Sequence, residues 1–161
     1  MGLPNGLRAI SNSLEASTTL DGSASQNIFQ ITGVVQINYI HGWVSTALAA
    51  DVTAARLDLF PTAGAAINLT DPAGVDISST VVGSFISKTA TAATALTLSS
   101  ASLGFLQETT RHLPALFVVG QETAGVDTFI RLTRAGAGAS GVVNWSCEWQ
   151  PISEGSLVVA A

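Results

Sequence analysis

Residues 142 to 150 alternate strictly between apolar and polar side chains, and Pro151 follows directly. A period of two residues is that of a β-strand with one buried face, and a helix does not have it. Because proline has no backbone N–H to give to a sheet, the strand is expected to end there. The segment predicts a half-buried strand whose apolar face carries Val143, Trp145, Cys147 and Trp149.

A longer strand is predicted over residues 28 to 44, where apolar residues again alternate. Gly33 lies inside it and is expected to mark a bulge or a close backbone approach, since glycine adds no side chain to the sheet. His41 has the same parity as Trp43, so it is predicted to be a packed or interface histidine. One side of this strand is predicted to carry Ile31, Val35, Ile37, Tyr39 and Trp43.

Shorter β-strands follow, separated by segments rich in glycine and proline that favour chain reversals. Their number and spacing are typical of a two-sheet sandwich. The turns are predicted at residues 61–64, 71–74, 121–125 and 135–141. The strands are predicted at residues 55–60, 66–70, 80–87, 95–98, 115–119, 128–133, 142–150 and 156–159.

The fold class predicted from these segments is all-β, an antiparallel two-sheet sandwich of jelly-roll type with an extended N-terminal arm. Residues 46–54 and 100–108 have only weak helical periodicity and are allowed one helical turn each, so the helices that parallel crossovers require are lacking. Residues 1–26 combine Pro4 with glycines and many serine, threonine and asparagine residues, which predicts a loosely held arm. Residues 27–161 form the predicted sandwich domain.

Charged residues make up only 11% of the 161 residues, while apolar residues reach 47%. Part of the neutral surface is therefore expected to be buried against other subunits, and a neutral exterior of small residues is the alternative. The net charge of −5 and the single lysine, Lys88, leave too few cations to neutralise several phosphates. Direct binding to nucleic acid is not expected.

The chain has no apolar run of the ~20 residues that span a bilayer, and its first residues do not have the pattern of a signal peptide. We expect a protein that makes no membrane contact, and the bacterial cytosol is a compatible compartment. Cys147 is the only cysteine, which excludes an intramolecular disulfide and a zinc cluster built on thiolates.

The sequence offers little catalytic chemistry. His41 and His112 are the only histidines and neither accompanies a nucleophile motif, so no enzyme activity is predicted. Asp71 and Asp76 flank a Pro-Gly turn with too few oxygen ligands for a strong calcium site, which favours a plain turn. Residues 136–141 lack the lysine and the following helix of a phosphate loop, so they are predicted to be a flexible hairpin connection. No cofactor or metal is expected.

Trp145 and Trp149 share one face of their strand, which allows two interpretations. An exposed pair of indoles would form a platform for a sugar, as in binding modules of sandwich fold. The alternative is that both rings belong to the core, and Cys147 between them favours this interpretation.

The C-terminal third of the chain carries its most specific motifs. They are Phe129-Ile130-Arg131-Leu132-Thr133, the glycine-rich turn leading into Val142-Val143-Asn144-Trp145, Pro151-Ile152-Ser153-Glu154-Gly155, and the ending Val158-Val159-Ala160-Ala161. The strand Ile31-Thr32-Gly33-Val34-Val35-Gln36-Ile37 accompanies them. Together these segments resemble structural proteins from the virions of tailed bacteriophages.

The resemblance implies a capsid decoration protein, also called a cement protein, with a jelly-roll fold. Such a protein sits as a homodimer or homotrimer on the outer capsid surface, binds the major capsid protein across its seams and carries out no chemical step. The lack of repeats and of a coiled-coil stalk argues against a fibre. The interface is expected at the arm and the C-terminal strand, through Leu3, Pro4, Leu7, Ile10, Leu14, Leu157, Val158 and Val159.

The alternative is a tail or head-fibre module that binds a host surface glycan or receptor. This alternative predicts an exposed aromatic cleft at Trp43, Trp145 or Trp149.

Overall fold

The computed structural model of the chain describes residues 12–88, 94–99, 116–120 and 127–161. These ranges contain β-strands and no helix, so the predicted all-β class is confirmed. The strands are β1 (Asn12–Thr19), β2 (Ser25–Thr32), β3 (Val34–Thr46), β4 (Thr53–Pro61), β5 (Ile67–Asn68), β6 (Phe85–Ser87), β7 (Thr97–Ser99), β8 (Leu116–Val119), β9 (Thr128–Ala135), β10 (Val142–Pro151) and β11 (Leu157–Ala160).

The strands form two antiparallel sheets that pack face to face. Sheet A has the order β1-β10-β3-β6-β7, with β8 also paired to β3, and sheet B has the order β11-β2-β9-β4-β5. The four strands β1, β10, β3 and β6 of one sheet and β2, β9, β4 and β5 of the other have the spatial order of a jelly roll, and β11 is added beside β2. The predicted sandwich of jelly-roll type is therefore present.

The core lies between the sheets, and β10 contributes its largest side chain. Val143, Trp145, Cys147 and Trp149 are all buried, as the alternation predicts. Gly42 on β3 pairs with Trp145, and a Cβ at that position would lie 2.9 Å from the indole Cε3. A glycine is needed opposite the tryptophan because any side chain would occupy the space of the ring.

The predicted strand over residues 28–44 is two strands, one in each sheet. Gly33 separates β2 from β3 with a φ of +69°, and a Cβ there would lie 2.6 Å from Ser156 Oγ. The predicted close approach is confirmed. The glycine turns the chain from sheet B into sheet A, which a continuous strand would not do.

A bulge in β3 corrects the predicted faces of this segment. Ile37 pairs with Trp149 while Tyr39 pairs with the preceding Glu148, so Asn38 is an extra residue in the ladder. An extra residue reverses the parity of everything that follows it. Tyr39, and with it Trp43, therefore faces outward from sheet A, opposite to Ile37.

The predicted arm is wrong for residues 12–26. Asn12–Thr19 forms β1, which pairs along its whole length with β10, and the proposed boundary at residue 26 falls inside β2. Leu14 and Ala16 pack against the core. The small side chains of this strand gave it the composition of a loop, and only pairing with β10 makes it a strand. Residues 1–11 lie outside the described ranges.

The glycine-rich segment between β9 and β10 is also different from the prediction. It joins sheet B to sheet A and is therefore no hairpin. The buried guanidinium of Arg134 donates to the carbonyls of Gly136 (3.2 Å) and Gly138 (2.8 Å), and Ala137 N donates to an Asp51 carboxylate oxygen at 3.2 Å. These contacts brace the connection, which corrects the expected flexibility.

Two further expectations concern short helical turns. Residues 46–54 contain no helix, and residues 100–108 lie outside the described ranges. Of the predicted strand at residues 80–87, only Phe85–Ser87 forms a strand, since the residues before it make turns.

Candidate interface at the C-terminal sheet edge

The last strand, β11, forms an open edge of sheet B, which we call the C-terminal edge (residues 157–160). In the described part of the chain it pairs only with β2. Val158 is 3% exposed and belongs to the core, whereas Leu157 is 49% and Val159 37% exposed. Two aliphatic side chains therefore lie on the outer face of an edge strand.

The pairing with β2 determines which backbone groups of the C-terminal edge point outward. Leu157 pairs with Thr32 and Val159 with Gln30, and Ala161 N donates to the Ile28 carbonyl at 3.0 Å. Since hydrogen-bonded and non-hydrogen-bonded residues alternate in an antiparallel ladder, the odd-numbered residues direct their N–H and C=O groups to β2. The corresponding groups of Val158 and Ala160 point away from the sheet.

A serine clasp holds this edge in place, formed by Val34, Ser153 and Ser156. The Val34 N–H donates to Ser153 Oγ (3.1 Å) and to Ser156 Oγ (3.0 Å), and the two hydroxyl oxygens are 2.6 Å apart. The Ile152 N–H donates to the Val34 carbonyl at 2.9 Å. The turn between β10 and β11 is thus tied to the place where β2 passes into β3.

Two features that protect sheet edges in soluble proteins, charged side chains and proline, are missing from the C-terminal edge. No residue from 155 to 161 has a charged side chain or is a proline. The edge of sheet A beside it is different, because the outward side chains of β1 are Ser13, Glu15, Ser17 and Thr19. At the far edge of sheet B, β5 is only Ile67–Asn68. A flat, uncharged edge with unpaired backbone groups is a template for strand addition by another chain.

The predicted interface residues fall into three groups. Leu157 and Val159 are exposed on the C-terminal edge. Leu14 and Val158 turn their side chains toward the chain's own core, which corrects their assignment as contact side chains, although the backbone of Val158 faces outward. The others lie outside the described residues; they are Leu3, Pro4, Leu7 and Ile10. Sequence reasoning missed Ile152, an exposed side chain beside the edge.

An aromatic row on the outer face of sheet A is a second candidate site. The His41 ring stacks on Phe85 with centroids 5.0 Å apart and meets Tyr39 at 4.7 Å. Burial lowers the pKa of His41, and the negative charge of Glu15 opposes this shift. His41 is thus a packed histidine, in agreement with the prediction, and Trp43 follows it on the same outward face. His112 lies outside the described residues.

A charged cluster occupies the outer face of sheet B. Asp58 is buried between Arg56, whose Nε is 3.4 Å from Oδ1, and Arg131, whose Nε is 3.9 Å from Oδ2. The Arg131 guanidinium also lies 4.0 Å above the centre of the Phe60 ring. The cluster joins β4 to β9 through charged and aromatic contacts within the chain.

The segment considered for calcium forms local turns. Asp71 Oδ1 accepts from Ala73 N and Asp76 Oδ1 accepts from Ser78 N, both at 2.8 Å. These are the bonds by which aspartate stabilises a turn. Within the described ranges, no group of three or more histidine, cysteine, aspartate or glutamate residues could hold a metal ion.

The buried residues of β10 exclude one sugar platform. Trp145 and Trp149 are core residues, so the interpretation that placed them in the core is confirmed and only Trp43 remains for an aromatic cleft. Burial, assisted by the charge of Glu148, raises the pKa of the free thiol of Cys147 to about 12. This thiol is therefore not a nucleophile near neutral pH.

No protein-family model, curated protein or solved structure matches the chain. Among the described residues no helix is long and apolar enough to cross a membrane.

Proposed function

We propose that this chain is a capsid decoration protein of a tailed bacteriophage. It binds the outer shell across the seams between major capsid subunits and stabilises the shell against the pressure of the packaged DNA. The observation that supports this proposal most is the uncharged C-terminal edge, with Leu157 and Val159 exposed on a folded jelly roll. That edge belongs to the segment whose motifs resemble virion proteins.

The proposed mechanism is binding alone. Apolar contacts and main-chain hydrogen bonds at each site supply a modest free energy, and the symmetric lattice repeats the contact many times. The charged share of 11% leaves most of the surface neutral, which suits a protein that is covered by neighbours over a large area. The proposal assigns no cofactor and no transition state to the chain.

The test is co-sedimentation of the purified chain with shells assembled without it. We expect saturable binding at a stoichiometry set by the lattice, and a higher melting temperature of the loaded shell. Val159→Lys should weaken binding, whereas Ile67→Lys should not, because Ile67 is also exposed but lies on the opposite edge of sheet B. Absence of binding by the unaltered chain would reject the proposal.

The contribution of the N-terminal segment needs a separate variant. Deletion of residues 2–11 removes Leu3, Pro4, Leu7 and Ile10 and leaves β1 complete. A longer deletion would remove a paired strand and test folding instead. If this segment reaches a neighbour, shell occupancy falls while the melting temperature of the free chain stays unchanged; undiminished occupancy would exclude the segment from the interface.

A second candidate function is recognition of a host surface glycan by a tail or head-fibre module. It is favoured by the aromatic row of Tyr39, His41 and Trp43, since sugars bind against aromatic faces. This candidate predicts that the chain is retained on host cells or on their isolated polysaccharide. Trp43→Ala should abolish that retention and leave shell binding unchanged.

A further inference from the structure

The C-terminal edge offers hydrogen-bonding groups at alternate residues only. The outward groups are those of Val158 and Ala160, because Ala161 N and its odd-numbered neighbours face β2. A strand added here must therefore bond to these two residues. Two-fold pairing with β11 of a second copy can satisfy this alternation with its axis at Val158, Val159 or Ala160. The register with the axis at Val158 places Val158 opposite Val158, and each donates its N–H to the other's carbonyl.

This register also matches the side chains. Leu157 of one copy would lie opposite Val159 of the other, in non-hydrogen-bonded pairs, which bring side chains closest together. Both residues lie on the outer face and are 49% and 37% exposed in the single chain. Pairing would cover four aliphatic side chains in one continuous row, and sheet B would continue from one copy into the next.

The charge distribution favours a second copy over a charged partner. Each chain carries a net charge of −5, so two copies repel at long range, and a stable contact should not add charged side chains of like sign at short range. Residues 155–161 contain no charged side chain, and the nearest acidic residue in sequence, Glu154, lies in the turn before the paired segment. The contact therefore brings no charged side chains of like sign opposite each other.

We propose that two chains associate through antiparallel β11–β11 pairing about a two-fold axis at Val158. The contact is closed, because each chain uses its one C-terminal edge and the pair grows no further. This inference rests on the proposed function and deepens it: the C-terminal edge holds a second copy, and the resulting dimer binds the shell at two points, so Val159→Lys weakens shell binding through loss of the dimer. It is tested on the free chain, so its failure is distinguishable from failure of the shell-binding assay.

The first test is the mass of the purified chain in solution by light scattering over a concentration series. We expect twice the chain mass, with a dissociation constant that rises roughly tenfold or more in Val159→Lys, because lysine adds charge to a neutral contact. Ile67→Lys is the matched control and should remain dimeric. A monomeric mass for the unaltered chain at high concentration overturns the proposal.

The second test fixes the register with engineered disulfides. Leu157→Cys mixed with Val159→Cys should form a cross-linked dimer on mild oxidation, since non-hydrogen-bonded partners have Cα atoms about 4.5 Å apart. Neither variant alone should cross-link. In a dimer of one variant, the two introduced cysteines are diagonal neighbours and not directly opposite each other. The buried Cys147 is present in every sample and serves as the common background.

Three results contradict this register. Cross-linking of one variant alone, to an extent equal to or greater than in the mixture, places the axis elsewhere. A dimer that persists in Val159→Lys but is lost on deletion of residues 2–11 assigns the contact to the N-terminal segment. A dimer insensitive to both changes assigns it to another surface.

Discussion

The hydroxyl oxygens of Ser153 and Ser156 lie 2.6 Å apart, and both accept a hydrogen bond from the same backbone N–H of Val34. One donor is thus satisfied twice, at the point where the last strand is tied to the crossover between the sheets. The arrangement makes the two serines redundant as acceptors for Val34.

This redundancy predicts a non-additive effect of substitution. Ser153→Ala or Ser156→Ala alone should lower the free energy of unfolding by about 0.5–1 kcal/mol, since one acceptor remains for Val34. The double substitution leaves that partly buried N–H without its acceptors and should cost about 2–3 kcal/mol. Urea unfolding of the four proteins gives the coupling free energy; a value of zero would show that the serines act independently.

A second prediction concerns the braced connection between the sheets. Gly136 has a φ of +83°, and a Cβ there would lie 1.6 Å from the Asp51 carbonyl oxygen. Gly136→Ala should therefore lower the free energy of unfolding by more than about 3 kcal/mol.

The matched control is Gly155→Ala. Gly155 has a φ of +76° but no atom within 4 Å of the added Cβ, so only the backbone cost of about 1–2 kcal/mol is expected. The difference between the two variants isolates the clash with Asp51. Equal losses of stability in denaturant titrations would mean that the segment between β9 and β10 moves to avoid the clash with Asp51 at little cost in free energy.

A third prediction is a pH dependence of stability that arises from His41. Burial lowers the pKa of His41 below its ordinary value of 6.5, so the unfolded chain binds a proton more readily than the folded chain. The stabilising contribution of neutral His41 is present above pH 6.5 and is lost as the pH falls below this value. The chain should be less stable at mildly acidic pH.

His41→Phe isolates this effect, because it keeps a ring against Phe85 and removes the titrating group. The melting temperature of the unaltered chain should fall more steeply between about pH 7 and pH 5 than that of the variant. Glu15, which faces His41, is present in both proteins and cancels in the comparison. Parallel profiles would remove His41 as the cause.

A fourth prediction concerns the single thiol. With its pKa raised to about 12 by burial, Cys147 should not react with a disulfide reagent at about pH 8 while the chain is folded, and should react fully in denaturant. Ile67→Cys provides the positive control, since its added thiol is on an exposed position at the opposite edge of sheet B. Reaction of Cys147 at the rate of the control would mean that β10 opens readily.

Much of the fold was predictable because its signals are local. The alternation along β10 is a property of one segment, and it identified the strand, its buried face and its end at Pro151. Gly33 was also identifiable as a point of close approach, since the absence of a side chain is itself a signal. The same holds for the aspartate turns, whose hydrogen bonds join residues two apart.

The candidate site depended on tertiary structure to a larger degree. The sequence drew attention to the terminal Leu157, Val158 and Val159, but only the pairing of β11 with β2 separates the buried Val158 from its exposed neighbours. The serine clasp has no local signal, because Val34 is more than a hundred residues from both serines.

The sequence by itself determined the all-β class and the positions of most strands, since the alternation of apolar and polar residues in a strand is a property of that segment alone. Only the tertiary structure decided which strands lie at the edges, because an edge is defined by the absence of a neighbour. It also decided that Asn12–Thr19 is a strand and that Tyr39 faces outward. Both depend on register against β10, and a register is a property of two segments that neither contains alone.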